Sequence, residues 1–168
     1  MAVEAKLPHA IEWIDDFLDT GEKLVVFCTH KFVVDALMKE FSKEAVKLDG
    51  RTSGPDRQLA VDKFQNEPET RLFVGNIQAA GVGITLTAAS SVAFLELPWT
   101  SGSLRQAEDR VHRIGQKNAV NVYYLLAEYT IEEKIATLLD DKRKVLDSVL
   151  DGKETEDSSL IMDLIENY

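Results

Sequence analysis

The segment KLVVFCTHKFVVDALMKEF, residues 23–41, decides the fold. Its first six residues, 23–28, form a short apolar run rich in β-branched side chains, which is typical of a buried strand. The apolar residues of 33–41 then recur at helical spacing, so an amphipathic helix follows the strand directly, with Thr29 as its expected cap. A strand joined to a helix in this way is the repeating unit of α/β folds.

The same alternation continues on both sides of this segment. Apolar runs predict further strands at 45–50, 71–76, 91–97 and 119–126. Amphipathic stretches predict helices over 7–18 (with Pro8 in its first turn), from Ser53 onward, over 101–115 and over 130–150. This alternation predicts a mainly parallel sheet covered by helices on both faces. Ligands of such sheets bind beyond the carboxyl ends of the strands, so we expect the chemistry in the loops there.

Composition restricts the class of protein. The chain has 168 residues, is 45% hydrophobic and contains one cysteine, which excludes an internal disulfide. There is no secretory signal pattern, and the uncharged stretch 72–95 contains too many polar residues and glycines for a membrane span. We therefore expect a reducing compartment, cytoplasm or nucleus, and a monomeric domain. The net charge of −10 comes from the flanks 1–22 and 140–168, so a basic face for nucleic acid stays possible in the neutral centre.

The segment QAEDRVHRIGQ, residues 106–116, carries the most informative polar pattern. On a continuous helix Gln106, Arg110 and Arg113 would share one face, because they are four and three residues apart. The planar guanidinium group suits phosphate oxygens, and an arginine near a γ-phosphate stabilises the charge that develops in phosphoryl transfer. Spacing alone leaves a second interpretation open, in which Glu108, Asp109 and the arginines form surface ion pairs.

This segment resembles motif VI of superfamily-two helicases and translocases, in the form found in Swi/Snf-type ATPases. With LPWTSGSLR (97–105) before it, it is most similar to the branch of annealing helicases and HepA-related proteins. The resemblance implies that Arg113 is the arginine finger, that Arg110 is a second phosphate-contacting arginine and that Gln106 contacts the nucleotide. Asp109 stands where many helicases of the wider superfamily have glycine.

Three further segments resemble motifs of the same family. AAGVGITLTAAS (79–90) resembles motif V, in which Gly81 and Gly83 would let the backbone approach a phosphate or ribose, although a tight turn would also explain them. The same loop offers Thr85, which is a candidate DNA contact or a packing residue. VVFCTHKF (25–32) resembles motif IV, and LDGRTS (48–53) resembles the element after it. The candidate contacts to DNA phosphates in these two segments and the next helix are Thr29, Thr52 and Arg57.

The resemblance also implies the domain organisation. We expect a linker helix region at 1–22, a RecA-like second lobe at 23–128, a C-terminal brace helix at 129–150 and an acidic tail at 151–168. Lys142, Arg143 and Lys144 of the brace are either a solvated face or a basic patch near DNA. A metal site is not expected, since His30 and His112 lack the further ligands that zinc needs. Met1-Ala2 before the linker helix favours an excised domain, and a natural two-gene arrangement stays open.

The sequence lacks two parts of a complete ATPase. It contains neither a G-x-x-x-x-G-K-[ST] loop for the phosphates nor an acidic D-E-x-[HD] box for Mg²⁺. The resemblance therefore implies the second lobe of an ATP-dependent double-stranded DNA translocase, with ATP and Mg²⁺ held on a partner lobe one, and no hydrolysis by this chain alone. Two alternatives stay open: a nucleic-acid-binding module without motor function, and a lobe of a strand-separating helicase. A self-sufficient small α/β enzyme or a protein-interaction domain is disfavoured, because the chain has no catalytic triad or metal cluster.

Overall fold

The computed structural model describes residues 2–79, 83–98, 100–127 and 130–150. Helices and strands alternate through this part of the chain, as predicted, except that the fourth strand directly follows the third. In chain order the elements are α1 (Ala2–Leu18), β1 (Leu24–Cys28), α2 (Lys31–Glu40), β2 (Ala45–Leu48), α3 (Gly54–Asn66), β3 (Leu72–Asn76), β4 (Ser91–Phe94), α4 (Ser101–Val111), β5 (Asn121–Tyr124) and α5 (Ile131–Leu150). Each strand lies within a segment that the apolar runs predict.

The five strands form one sheet in the order β2-β3-β1-β4-β5, and every neighbouring pair is parallel. The most central strand is therefore β1, which pairs with β3 on one side and β4 on the other. Leu24 lies opposite Leu72 and Ser91, so the three central strands begin at the same level. Their carboxyl ends also meet at one edge, where residues 29, 77 and 95 leave the sheet.

Both faces of the sheet are covered, because successive side chains of a strand point to opposite faces. In β1, Val25 and Phe27 join a core formed with α3, α4 and α5, while Leu24, Val26 and Cys28 join a core formed with α1 and α2. All five residues are fully buried. This arrangement confirms the predicted three-layer α/β fold.

Two predicted helix starts are wrong. The helix expected from residue 7 begins at Ala2, so Pro8 lies inside α1 and not in its first turn. The extra turns are stabilised by tertiary packing, since Val3 and Leu7 lie against the same core as Ile14. Thr29 does not cap α2: the N-cap is His30, whose side chain makes no capping hydrogen bond.

The start of α3 confirms its prediction. The Ser53 hydroxyl accepts a hydrogen bond from the Asp56 backbone N–H at 3.3 Å, with a proline in the first turn of the helix. This is the usual way in which an orphan amide of a helix N-terminus is satisfied.

The first and last helices are joined by a buried ion pair. Lys6 Nζ in α1 lies 2.7 and 2.6 Å from the two carboxylate oxygens of Glu132 in α5, and also donates to the Leu125 carbonyl at 2.9 Å. The Glu132 carboxylate further accepts from the Ala127 N–H at 3.0 Å. Both side chains are about nine-tenths buried. The ion pair therefore holds α1 and α5 in one relative orientation.

Within the described part of the chain, every helix is too short or too polar to cross a bilayer.

Candidate functional site: two segments joined by hydrogen bonds

The segments that resemble motifs V and VI lie side by side. The Leu86 N–H donates to the Arg110 carbonyl at 2.9 Å, which joins the loop after β3 to the last turn of α4. The Gln116 side chain adds a second connection, because its Nε2 donates to the Ala89 carbonyl at 2.6 Å and to the Thr87 carbonyl at 3.4 Å. Two stretches about thirty residues apart in sequence therefore form one surface.

Arg113 is not on the helix face that the spacing predicts. The helix α4 ends at Val111, with His112 as its C-cap, and the chain then turns through residues 112–115. Gly115 adopts a φ of +104°, a left-handed conformation that favours glycine and reverses the chain. The prediction that Arg113 shares a helix face with Gln106 and Arg110 is therefore wrong.

In this turn Arg113 is exposed, and its Nη1 donates to the Ile84 carbonyl at 3.0 Å. This bond uses one of five guanidinium donors, so the group keeps donors for an anionic ligand.

Gln106 and Arg110 do share a face of α4, as predicted from their spacing. Gln106 is exposed, and its carbonyl accepts from Arg110 Nε at 3.2 Å. The Arg110 side chain is half-buried. Their assignment to the nucleotide stays a prediction.

A cleft of about 320 Å³ lies between the start of α3 and the loop after β3. Arg57, Gly83 and Thr85 line it, so a predicted nucleotide contact, Gly83, lies together with two predicted DNA contacts. The Arg57 guanidinium spans the cleft wall, because it donates to the Thr52 carbonyl at 3.3 Å and the Ala79 carbonyl at 3.2 Å. Gly81, predicted as a nucleotide contact, lies outside the described residues.

Thr29 and Thr52 follow the carboxyl ends of β1 and β2 and are engaged within the protein. The Thr29 carbonyl accepts from Asn76 Nδ2 at 2.6 Å, which connects the ends of β1 and β3. The Thr52 hydroxyl accepts from the Asp49 N–H at 3.0 Å and so shapes the turn after β2. Both residues are half-buried, and their proposed contacts to DNA stay predictions.

A buried carboxylate near the carboxyl ends of the strands was missed by sequence reasoning. Glu96 follows β4, is 4% exposed and accepts from the backbone N–H groups of Thr29 at 2.8 Å and His30 at 2.9 Å. Its other oxygen pairs with His30 Nδ1. A lone acid in an otherwise apolar strand sequence, SVAFLEL, was the signal that could have identified it. Glu96 sets the path of the chain from β1 into α2.

A second buried carboxylate, Asp49, organises the loop after β2. It accepts from the Arg51 N–H at 2.8 Å and from Arg51 Nε at 2.9 Å, while Arg51 also pairs with Asp35 on α2 at 2.7 Å. The hydrogen bonds from Arg51 hold the pKa of Asp49 below its usual range, against the opposing effect of burial. They also lower the pKa of Asp35, and the two acids raise that of Arg51.

Among the described residues, no group of three or more His, Cys, Asp or Glu is arranged to hold a metal ion. The arrangement instead presents guanidinium and amide donors next to a loop of small residues. Such donors recognise the oxygens of phosphate groups. The chemistry of these donors therefore suits an anionic ligand.

Comparison with known proteins agrees with this geometry. Residues 9–115 match the family model described as the helicase conserved C-terminal domain. The chain is 44% identical over 147 residues to the SWI/SNF-related matrix-associated actin-dependent regulator of chromatin subfamily A-like protein 1 of Xenopus tropicalis, covering 85% of this chain and 16% of that protein. It is 41% identical over 135 residues to the DNA annealing helicase and endonuclease ZRANB3 of Homo sapiens, covering 79% of this chain and 12% of that one.

A solved structure is also similar. The SWI2/SNF2 ATPase core of Sulfolobus solfataricus in complex with dsDNA superposes with a TM-score of 0.64 at 34% identity, over 86% of this chain and 31% of that chain. The chain thus spans less than a fifth of the two curated relatives named above. The matched family, the parallel α/β sheet and the identity to Swi/Snf relatives agree with one another: this chain belongs to the helicase conserved C-terminal domain family and is the RecA-like C-terminal lobe of a Swi/Snf-type superfamily-two ATPase.

Proposed function

We propose that this lobe is the second half of an ATP-driven double-stranded DNA translocase and that Arg113 is its arginine finger. The observation that carries the proposal is the position of Arg113, exposed in a turn that two sets of hydrogen bonds hold against the loop after β3. A guanidinium in such a turn can reach a phosphate on another body without moving its own backbone. ATP with Mg²⁺ would be bound by lobe one, and Arg113, with Arg110 beside it, would stabilise the charge on the γ-phosphate.

The residues of this lobe have limited tasks in that mechanism. Arg113 supplies charge and hydrogen-bond donors in the transition state, when the negative charge on the transferred phosphoryl oxygens is largest. Gln106 and the glycines of the loop after β3 would contact the rest of the nucleotide. The phosphate cradle and the Mg²⁺ ligands would come from lobe one, so the lobe by itself is expected to hydrolyse no ATP, with or without DNA.

The cleft next to Arg57 and Thr85 is the proposed contact to duplex DNA. The similar Sulfolobus core is solved in complex with dsDNA, which supports placing DNA on this family of lobes. Hydroxyl and guanidinium groups suit phosphate oxygens and carry no base information. Grip on the backbone without sequence preference is what a translocase needs.

The decisive experiment restores lobe one and measures dsDNA-stimulated ATP hydrolysis of the unchanged protein, Arg113→Ala and Lys43→Ala. Lys43 is an exposed cation in the turn before β2, so its removal makes the same change of charge away from the site. We expect Arg113→Ala to lower kcat by roughly 10³- to 10⁵-fold, the contribution of an arginine finger. Lys43→Ala is expected to retain the full rate. DNA-stimulated turnover by Arg113→Ala near that of the unchanged protein would refute the assignment.

A second measurement separates a motor from a passive binding module. Binding of duplex DNA at increasing salt should show a negative slope of log affinity against log salt, and Thr85→Ala should reduce affinity without sequence dependence. Strong binding with no ATP hydrolysis after lobe one is restored would favour the binding module. Separation of strands during hydrolysis would favour the helicase alternative.

A further inference from the structure

Ile114 is an apolar side chain that its own lobe leaves entirely in water. It is 100% exposed, whereas the other large exposed hydrophobics among the described residues, Phe32, Leu59 and Tyr124, are 36–54% exposed. It lies between Arg113 and Gly115, at the tip of the turn after α4. Single exposed apolar residues are common on protein surfaces, so exposure alone assigns no role to Ile114.

The turn beneath Ile114 is held by hydrogen bonds on both sides. The Gln116 N–H donates to the Arg113 carbonyl at 2.9 Å, which closes the turn around Ile114. The Gln116 side chain donates to the Ala89 and Val111 carbonyls at 2.6 and 3.3 Å. Ile114 is therefore presented to solvent by an ordered backbone. Its exposure follows from the geometry of the turn and not from a lack of local structure.

The neighbours of Ile114 give this tip a defined chemistry. His112, Arg113, Lys117 and Asn118 are all exposed, so one aliphatic side chain projects from a polar and cationic surround. An apolar centre with a polar rim is the usual composition of a small protein contact. The complementary surface would be an apolar depression bordered by polar or acidic groups.

We propose that Ile114 docks on the ATP-binding lobe when the motor closes and thereby positions Arg113 at the γ-phosphate. This inference rests on the proposed function. Ile114 directly follows Arg113, both side chains are exposed in the same turn, and adjacent Cα atoms are about 3.8 Å apart, so we expect a lobe whose bound nucleotide contacts Arg113 to approach Ile114 as well. Removal of this side chain from water would then accompany closure and favour the closed state over the open one. Ile114 is thus a positioning residue that acts through Arg113.

The test uses the protein with lobe one restored and compares Ile114→Ser, Ile114→Val and Leu59→Ser. Leu59 is a matched control, since it is an exposed aliphatic residue on the outer surface of α3. We expect Ile114→Ser to lower kcat at saturating DNA by roughly 10- to 100-fold, because the apolar part of closure is lost. Ile114→Val should recover most of the rate, and Leu59→Ser should change nothing.

Two controls keep the result specific. Unfolding of the isolated lobe should be the same for Ile114→Ser and the unchanged chain, because the side chain is fully exposed in the lobe. A distance probe between the two lobes, read with a non-hydrolysable ATP analogue, should show a smaller closed fraction for Ile114→Ser. A structural defect would change the unfolding of the isolated lobe, whereas a docking defect would change only the closed fraction.

The possible outcomes are distinct. If Ile114→Ser hydrolyses ATP at the full rate while Arg113→Ala is inactive, the docking inference is wrong and the proposed function stands. If Ile114→Ser retains kcat at saturating DNA and weakens only DNA affinity, the residue contacts DNA and the inference is again wrong. If Arg113→Ala stays active, the proposed function fails and the docking inference fails with it.

Discussion

Phe27 on β1 lies directly against Gly75 on β3, its register partner, so closely that a Cβ on Gly75 would stand 2.8 Å from the Phe27 ring. The ring has little freedom to move, because Phe94 on β4 stacks against it at a centroid distance of 5.6 Å. Phe94 in turn stacks on Tyr124 of β5 at 5.7 Å. Aromatic side chains from three neighbouring strands and the Gly75 backbone of a fourth thus pack in one row near the carboxyl ends of these strands.

Gly75→Ala is therefore expected to destabilise the lobe. The added methyl group must displace a ring that is packed on its other side, and such overpacking costs about 1–3 kcal/mol. Chemical denaturation of the isolated chain measures the loss. Gly50→Ala is the control, since an added Cβ there meets nothing within 4 Å. An unchanged midpoint for Gly75→Ala would show that the row of aromatic rings is more loosely packed than the structure indicates.

Lys6→Met and Glu132→Gln should each strongly reduce stability. Either change leaves a buried charge without its partner, which costs about 3–5 kcal/mol for a pair of this kind. The double variant should lose less than the sum of the two single changes, because no buried charge then stays unpaired. Urea denaturation of the four chains gives this coupling.

The ion pair between Lys144 and Asp140 is the control for that prediction. It is spaced four residues apart on α5 and both side chains are more than half exposed. Lys144→Ala is expected to leave the unfolding midpoint unchanged within error, since solvent screens exposed pairs. A loss of stability equal to that of Lys6→Met would contradict the role assigned to burial.

Stability should fall at acid pH partly through Asp49. Its pKa is lower in the folded lobe than in the unfolded chain, because Arg51 donates to the carboxylate. The stabilisation is therefore complete above the unfolded pKa of about 4 and is lost as the pH falls below it. Urea midpoints between pH 7 and pH 3 should decline less steeply for Asp49→Asn than for the unchanged chain. Asp16→Asn replaces an exposed carboxylate on α1, and its urea midpoint should depend on pH as steeply as that of the unchanged chain.

Gln116→Ala should loosen the turn that carries Arg113. The side chain donates to three carbonyls, and loss of hydrogen bonds that leaves buried acceptors unsatisfied costs about 1–3 kcal/mol. Faster hydrogen exchange of the Leu86 amide, which donates to the Arg110 carbonyl, is the expected signature. Gln78→Ala removes an exposed side-chain amide in the loop after β3, and it should leave the exchange of the Leu86 backbone N–H unchanged. Unchanged protection in Gln116→Ala would show that other contacts hold the two segments together.

The predicted order of strands and helices is confirmed, because each element is encoded by a local pattern. The run 23–28 is apolar throughout, and the strand β1 within it is buried on both faces. The Ser53 hydroxyl caps α3 by accepting a hydrogen bond from the backbone N–H of Asp56, three residues later. Such signals are complete within a few residues, so they can be identified without knowing what packs where.

The sequence by itself also determined the family and the candidate residues, through the segments 79–90 and 106–116. Only the tertiary structure decided which residues far apart in the sequence are in contact. The end of α4 at Val111 moves Arg113 from a helical face into a turn, where Gln116 joins it to a loop about thirty residues earlier. Lys6 and Glu132 are 126 residues apart, and no spacing rule relates them. Burial, and with it the energy of an ion pair or a carboxylate such as Glu96, arises only when the layers of the fold come together.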